Sequence, residues 1–181
     1  MKRLQTISIL LLSFTLILSA CGKKAETAER GNDKTELKQE HKEWYSFPEG
    51  MKLAENSDKH IIVDFYTDWC KWCKVMDEKT FSVPEVEAYL FEHFIPIRID
   101  AESEEITEFK GQNYSYKQLT QAFGVTGFPS LAYLSPEKEI ITIVPGYVEK
   151  EPFLNILEYV SKECYTKDVP FESFKEDGDC Q

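Results

Sequence analysis

Asp64-Phe65-Tyr66-Thr67-Asp68-Trp69-Cys70-Lys71-Trp72-Cys73-Lys74 carries an apolar strand into two cysteines separated by two residues. Upstream, Ile61, Ile62 and Val63 continue into Phe65 and Tyr66 as the near-unbroken apolar run that fills a strand buried on both faces. From Cys73 the pattern changes: Val75, Met76, Lys79 and Thr80 alternate with charge at helical spacing. Cys70 therefore falls where a strand ends and a helix begins. A thiol there meets unpaired backbone N–H groups and the positive end of the helix dipole, both of which favour thiolate, and Lys71 and Lys74 act in the same direction. These features describe a thiol–disulfide centre in which Cys70 attacks and Cys73, a turn further in and less exposed, resolves. Asp64, flanked by apolar neighbours, is expected to be buried with a raised pKa, suited to taking a proton from Cys73.

The stretch resembles the thioredoxin superfamily, most of all its extracytoplasmic members with a Trp-Cys-x-Trp-Cys-Lys site, among them the C-terminal domain of the membrane disulfide reductase of the Dsb system. Asp64, six residues before Cys70, stands where that family keeps a buried carboxylate, and Gly127-Phe128-Pro129-Ser130 stands at its cis-proline loop. The resemblance covers roughly residues 44–160 and implies an α/β thioredoxin fold, a mixed central sheet with helices on both faces. It also implies a cis bond before Pro129, which sequence physics alone does not predict. There are departures. Lys71 and Trp72 replace the Gly-Pro of cytoplasmic thioredoxin, a main determinant of potential; Pro96 stands where the family has a lysine facing the carboxylate, which leaves Arg98 as a substitute. The segment between Asp100 and Gly124 is longer than in a minimal thioredoxin. The activity implied is thiol–disulfide exchange without a cofactor, with reduction of disulfides in exported proteins favoured. Oxidase or isomerase chemistry on the same fold is the alternative, as is a non-enzymatic binding module. Trp69, Lys71, Trp72, Phe128 and Pro129 are the expected substrate contacts.

The 181 residues suit one domain plus export and tether segments, and a formal charge of −11 argues against binding nucleic acid through its backbone. Residues 1–20 read as an export signal: Lys2 and Arg3 precede an apolar run from Ile7 to Leu18, shorter than the about 20 residues a membrane span needs. Leu18-Ser19-Ala20-Cys21 resembles the lipobox of bacterial lipoproteins, which implies lipidation of Cys21, attachment to an extracytoplasmic membrane face and access to a membrane electron donor. Residues 22–43 hold one leucine and no aromatic residue, a composition that buries no core and suits a tether spanning about 25 Å as a coil.

The domain is expected over residues 44–163. Its elements read as a helix over 48–57, the strand over 61–67, the active-site helix from Trp72 closed by Phe81, and a helix opening at Pro84. A strand over 95–100 follows, then a polar, irregular insert over 101–115, a helix over 116–123, a hairpin of 131–134 with 140–144, and a last helix over 152–161. Trp69 is expected to shield the disulfide, and one of Trp69 and Trp72 to be a core or cover residue. Residues 164–181 read as a tail packed on the domain, with Cys164 and Cys180 in a structural disulfide that pins Phe171 and Phe174; a redox relay or two free thiols are the alternatives. No metal is expected, since no second Cys-x-x-Cys or paired His follows and His41, His60 and His93 are scattered. Asn113-Tyr114-Ser115 matches a glycosylation pattern by chance.

Overall fold

The computed structural model describes residues 43–181. Residues 1–20, Cys21 and nearly all of the expected tether lie outside them. β1 (His60–Tyr66) is the axis of a four-stranded sheet in the order β2-β1-β5-β6, where β2 is Phe94–Asp100, β5 is Ser130–Leu134 and β6 is Ile140–Pro145. β1 runs parallel to β2 and antiparallel to β5, and β5 and β6 form the expected hairpin. Parallel pairing of β1 with β2 requires a crossover. α2 (Lys71–Met76), a π-helical turn (Asp77–Phe81) and α3 (Pro84–His93) supply it.

Strand alternation explains the unbroken apolar run. Ile61, Val63 and Phe65 enter a core with α1 (Phe47–Ala54), α4 (Tyr116–Ala122) and the isoleucines of β2. Ile62 points the other way, toward Met76, Phe81, Leu90 and the Phe153 and Leu157 of α5 (Lys150–Ser161). Asp64 has the parity of Ile62, so it lies on the sheet face that the active-site helix covers. Helix starts follow local chemistry: Ser46 and Glu49 form a reciprocal capping box at α1, and Pro84 opens α3. α5 begins at Lys150, two residues before the expected position, with Pro152 in its first turn where a missing N–H costs nothing.

The irregular insert expected over 101–115 is a correction. It contains a hairpin, β3 (Ile106–Phe109) with β4 (Gln112–Ser115), turned by Lys110 at φ 52° and Gly111 at φ 77°. Thr107 is buried while Ile106 and Glu108 are exposed, so the strand's alternation is carried by one threonine and one aromatic, too little apolar signal to read as a strand. Phe109 anchors the hairpin, its ring 5.7 Å from Phe47 and 5.4 Å from Phe123.

Beyond α5, a short 3-10 turn (Cys164–Thr166) and α6 (Phe171–Asp177) fold back on the domain. Phe174 is buried, Tyr159 of α5 meets Phe171 and Phe174 edge-on at 5.3 and 5.5 Å, and its hydroxyl donates to the carbonyl of Val169 at 2.7 Å. Cys164 and Cys180 are paired within this cluster, Cα atoms 5.1 Å apart.

Candidate redox site

Cys70 is the N-cap of α2. Its backbone is extended (φ −69°, ψ 105°), and its Sγ accepts the backbone N–H of Cys73 at 3.0 Å, one of the donors a helix start leaves unpaired. Cys70 and Cys73 are joined as a disulfide with Cα atoms 5.3 Å apart. In this oxidised state both residues are 3% exposed, so the expected difference in burial between them does not hold. Position separates them instead: Cys70 heads the helix, with Lys71 and Lys74 exposed beside it and no acidic residue in the first turn, while Cys73 lies inside the turn.

Both tryptophans are exposed, Trp69 at 66% and Trp72 at 55%, so neither is a core residue. Each is held by a specific contact. Trp69 Nε1 donates to Glu102 Oε2 at 2.8 Å and its ring meets Phe128 edge-on at 6.1 Å; Trp72 stacks on Tyr147 at 5.4 Å. The Phe128–Pro129 bond is cis, and the Pro129 carbonyl accepts the N–H of Gly146 at 2.8 Å, which draws the loop after β6 up to the active-site helix. Between Trp72, Phe128, Gly146 and Tyr147 lies an apolar cavity of about 330 Å³. Sequence reading missed Tyr147 and Glu102. The Pro145-Gly146 pair, with Gly146 at φ 86°, is a turn signal that marks where a loop leaves the sheet but not what it approaches.

On the β1 face that the active-site helix covers, Asp64 is 1% exposed. Arg98, its register partner on β2, donates through Nε and Nη2 to Asp64 Oδ2 at 2.9 and 2.8 Å, and Nη2 also donates to Asp77 Oδ1 at the start of the π-helical turn. The guanidinium lies over Tyr66 at 4.9 Å, Trp44 at 5.4 Å and Phe81 at 5.9 Å. Arg98 is thus the cation that faces the carboxylate in place of the absent lysine. Burial nevertheless dominates and pushes the Asp64 carboxyl up to about 6, against the opposing pull of Arg98. Asp64 Oδ1 has no hydrogen-bond partner. Such a carboxyl can hold or release a proton near neutral pH.

Among the described residues, no three His, Cys, Asp or Glu side chains converge as metal ligands do. His60 is buried and hydrogen-bonds Tyr165 at 3.0 Å, and His93 packs against Tyr89.

A disulfide at the head of a helix, a cis-proline loop beside it and a buried carboxylate on the central strand of a mixed sheet define a thioredoxin-type thiol–disulfide oxidoreductase. The chain belongs to the thioredoxin-like domain family, whose model matches residues 47–161. The thiol:disulfide interchange protein DsbD of Vibrio vulnificus is 28% identical over 113 residues, and that of Photorhabdus laumondii 30% over 112; each alignment covers 61% of this chain and 18% of the relative. The chain thus spans less than a fifth of the length of these relatives. A thioredoxin-fold protein from Helicobacter pylori superposes with a TM-score of 0.60 at 22% identity, over 66% of this chain and 80% of its own, and shares the fold.

Proposed function

We propose that this protein reduces disulfides in exported proteins outside the cytoplasm, held to a membrane by lipid on Cys21 and recharged by a membrane electron donor. The observation that carries the reading is the pairing of a helix-capping Cys70 with a buried, high-pKa Asp64, an arrangement that makes one thiol a ready nucleophile and supplies the other with a base. In the reduced protein, the Cys70 thiolate attacks a client disulfide, forming a mixed disulfide and expelling one client thiolate. Cys73 passes its proton to Asp64 and attacks Cys70 Sγ. The Cys70–Cys73 bond forms as the bond to the client breaks, and the second client sulfur leaves as thiolate and is protonated. Two electrons pass from the dithiol to the client. Trp69, Lys71, Trp72, Phe128 and Pro129 contact the client around the sulfurs.

The kinship with the interchange proteins and the lipobox-like Leu18-Ser19-Ala20-Cys21 support the setting. The domain occupies residues 44–163, and Cys164 and Cys180 form a structural disulfide that fastens the tail. Reduction of insulin by the pre-reduced protein tests the activity, together with its equilibrium against glutathione. The expected result is turnover abolished in Cys70→Ala and a reducing potential. A strongly oxidising potential assigns the site to dithiol oxidation, and no turnover assigns the domain to binding.

A further inference from the structure

The β3–β4 hairpin has an edge that the rest of the fold leaves open. Tyr116 N–H donates to the Glu105 carbonyl, and in the register that pairs Thr107 with Tyr114 and Phe109 with Gln112 this turns the main-chain groups of Glu105, Thr107 and Phe109 toward β4. Those of Ile106 and Glu108 point to the other edge of β3, where no strand lies among the described residues. The side chains of Ile106 and Glu108 share one face and are exposed, Ile106 at 65%. On the opposite face Phe109 packs against Phe47 and Phe123, which holds the edge in place. Glu104 and Glu108 stand on either side of Ile106. Glu108 has no ion-pair partner among the described residues, and Glu104 meets Lys117 at 3.7 Å in an exposed pair that contributes little. The edge also begins at the lip of the redox site. Glu102, whose Oε2 accepts the Trp69 indole N–H, precedes Ile106 by four residues, at most about 14 Å of extended chain.

We propose that the open edge of β3 is a docking strand for clients: an extended client segment near the reacting cysteine adds to it as a third strand, with an apolar residue beside Ile106 and a lysine or arginine facing each of Glu104 and Glu108. The proposal rests on the exchange reading and names the clients which that reading leaves open, those with a basic-x-apolar-x-basic stretch. Main-chain hydrogen bonds to Ile106 and Glu108 supply affinity that is indifferent to sequence, and the alternate side chains supply choice. Charge decides between occupants. A second copy of this chain pairing β3 with β3 antiparallel about Ile106 sets Glu104 opposite Glu108 twice, and like charges directly opposite are destabilising. A basic segment meets attraction at both positions, and the formal charge of −11 draws it toward the protein.

The test uses the full chain with Cys70 and Cys73 reduced, and peptides whose single cysteine is blocked by thionitrobenzoate. Attack of Cys70 on the peptide sulfur expels the coloured thiolate and reports the first exchange step. A Gly-Ser spacer of varied length joins the cysteine to Lys-Thr-Val-Thr-Lys, to Glu-Thr-Val-Thr-Glu, or to the lysine sequence N-methylated at the amides that face β3. Cysteine thionitrobenzoate, too short to reach β3, gives the reference rate. Lys71 and Lys74 flank Cys70, so an advantage for the lysine peptide is expected only with spacers that reach past them. With such a spacer, at low ionic strength and well below saturation, it is expected to react on the order of tenfold faster than the glutamate peptide relative to the reference, less so as salt is raised. N-methylation is expected to cost about fivefold for each amide. In the double variant Glu104→Lys, Glu108→Lys the preference is expected to reverse, and in Ile106→Pro, whose missing N–H lies on the open edge, to weaken. A lysine peptide with no advantage in wild type at any spacer length, or an advantage that survives in the double variant, overturns the proposal. N-methylation without effect overturns it independently of any variant's folding, since charge attraction then acts with no added strand. A dimer in sedimentation that Ile106→Pro dissociates gives the edge to a second copy and overturns it as well. Cysteine thionitrobenzoate left intact by the reduced wild type instead sinks the exchange reading on which the proposal stands.

Discussion

At the scale of single residues, the site's chemistry costs stability, and Asp64 shows how much. Its carboxyl is pushed up to about 6 in the folded protein, against an ordinary value of 3.8. A carboxyl with a raised folded pKa contributes its full stabilisation below the unfolded value and loses it as pH rises through the folded one, because the unfolded chain gives up the proton first. Between pH 4 and 7 this amounts to about 2 kcal/mol. Asp64→Asn is therefore expected to be more stable than wild type at pH 7, with the advantage shrinking below pH 6 and gone near pH 4. Urea unfolding of the oxidised proteins at several pH values measures it; a wild type that gains on the variant as pH rises would mean that Arg98 outweighs burial. Cys70, Cys73 and Asp64 are legible in the sequence because they sit in one short stretch where strand and helix patterns meet. The grip of Arg98 is not, because it depends on parallel register between β1 and β2, and Tyr147 reaches Trp72 from a distant loop that no local pattern ties to the helix.

At the scale of elements, α1 lies so close to β2 that Gly50 has no room for a side chain: a Cβ there would collide with the Cγ1 and Cδ1 of Ile97, itself fully buried. Gly50→Ala sets a gain in helix propensity of about 1 kcal/mol against overpacking of about 1–3 kcal/mol. A net loss on the order of 1 kcal/mol in denaturant unfolding is expected; a stabilised variant would show that Ile97 can turn aside without cost. The long elements are readable from periodicity and punctuation. β1 announces itself by its apolar run, α3 by Pro84, and the β5–β6 hairpin by the turn residues between its strands. The β3–β4 hairpin hides because its stability comes from one aromatic, Phe109, docking on Phe47 and Phe123 rather than from its own pattern. The π-helical turn after α2 is likewise silent in sequence; Asp77, its first residue and the C-cap of α2, accepts from Arg98.

At the scale of the whole molecule, β1 carries Asp64 and leads into the helix headed by the Cys70–Cys73 disulfide, while the tail packs on α5 through Tyr159 and Phe174. Everything proposed for clients and donors depends on the order in which the two cysteines act. If Cys70 attacks and Cys73 resolves, Cys73→Ala strands each client on Cys70, since the thiol that would release it is gone. The direct measurement is expression of the full chain carrying Cys73→Ala, with Cys70→Ala and wild type beside it, acid quenching of the cells, and non-reducing gels read by mass spectrometry. Adducts joined through Cys70, removed by reductant and nearly absent from Cys70→Ala, are the result the account predicts. A clean monomer from Cys73→Ala, or adducts that persist in Cys70→Ala, would contradict it.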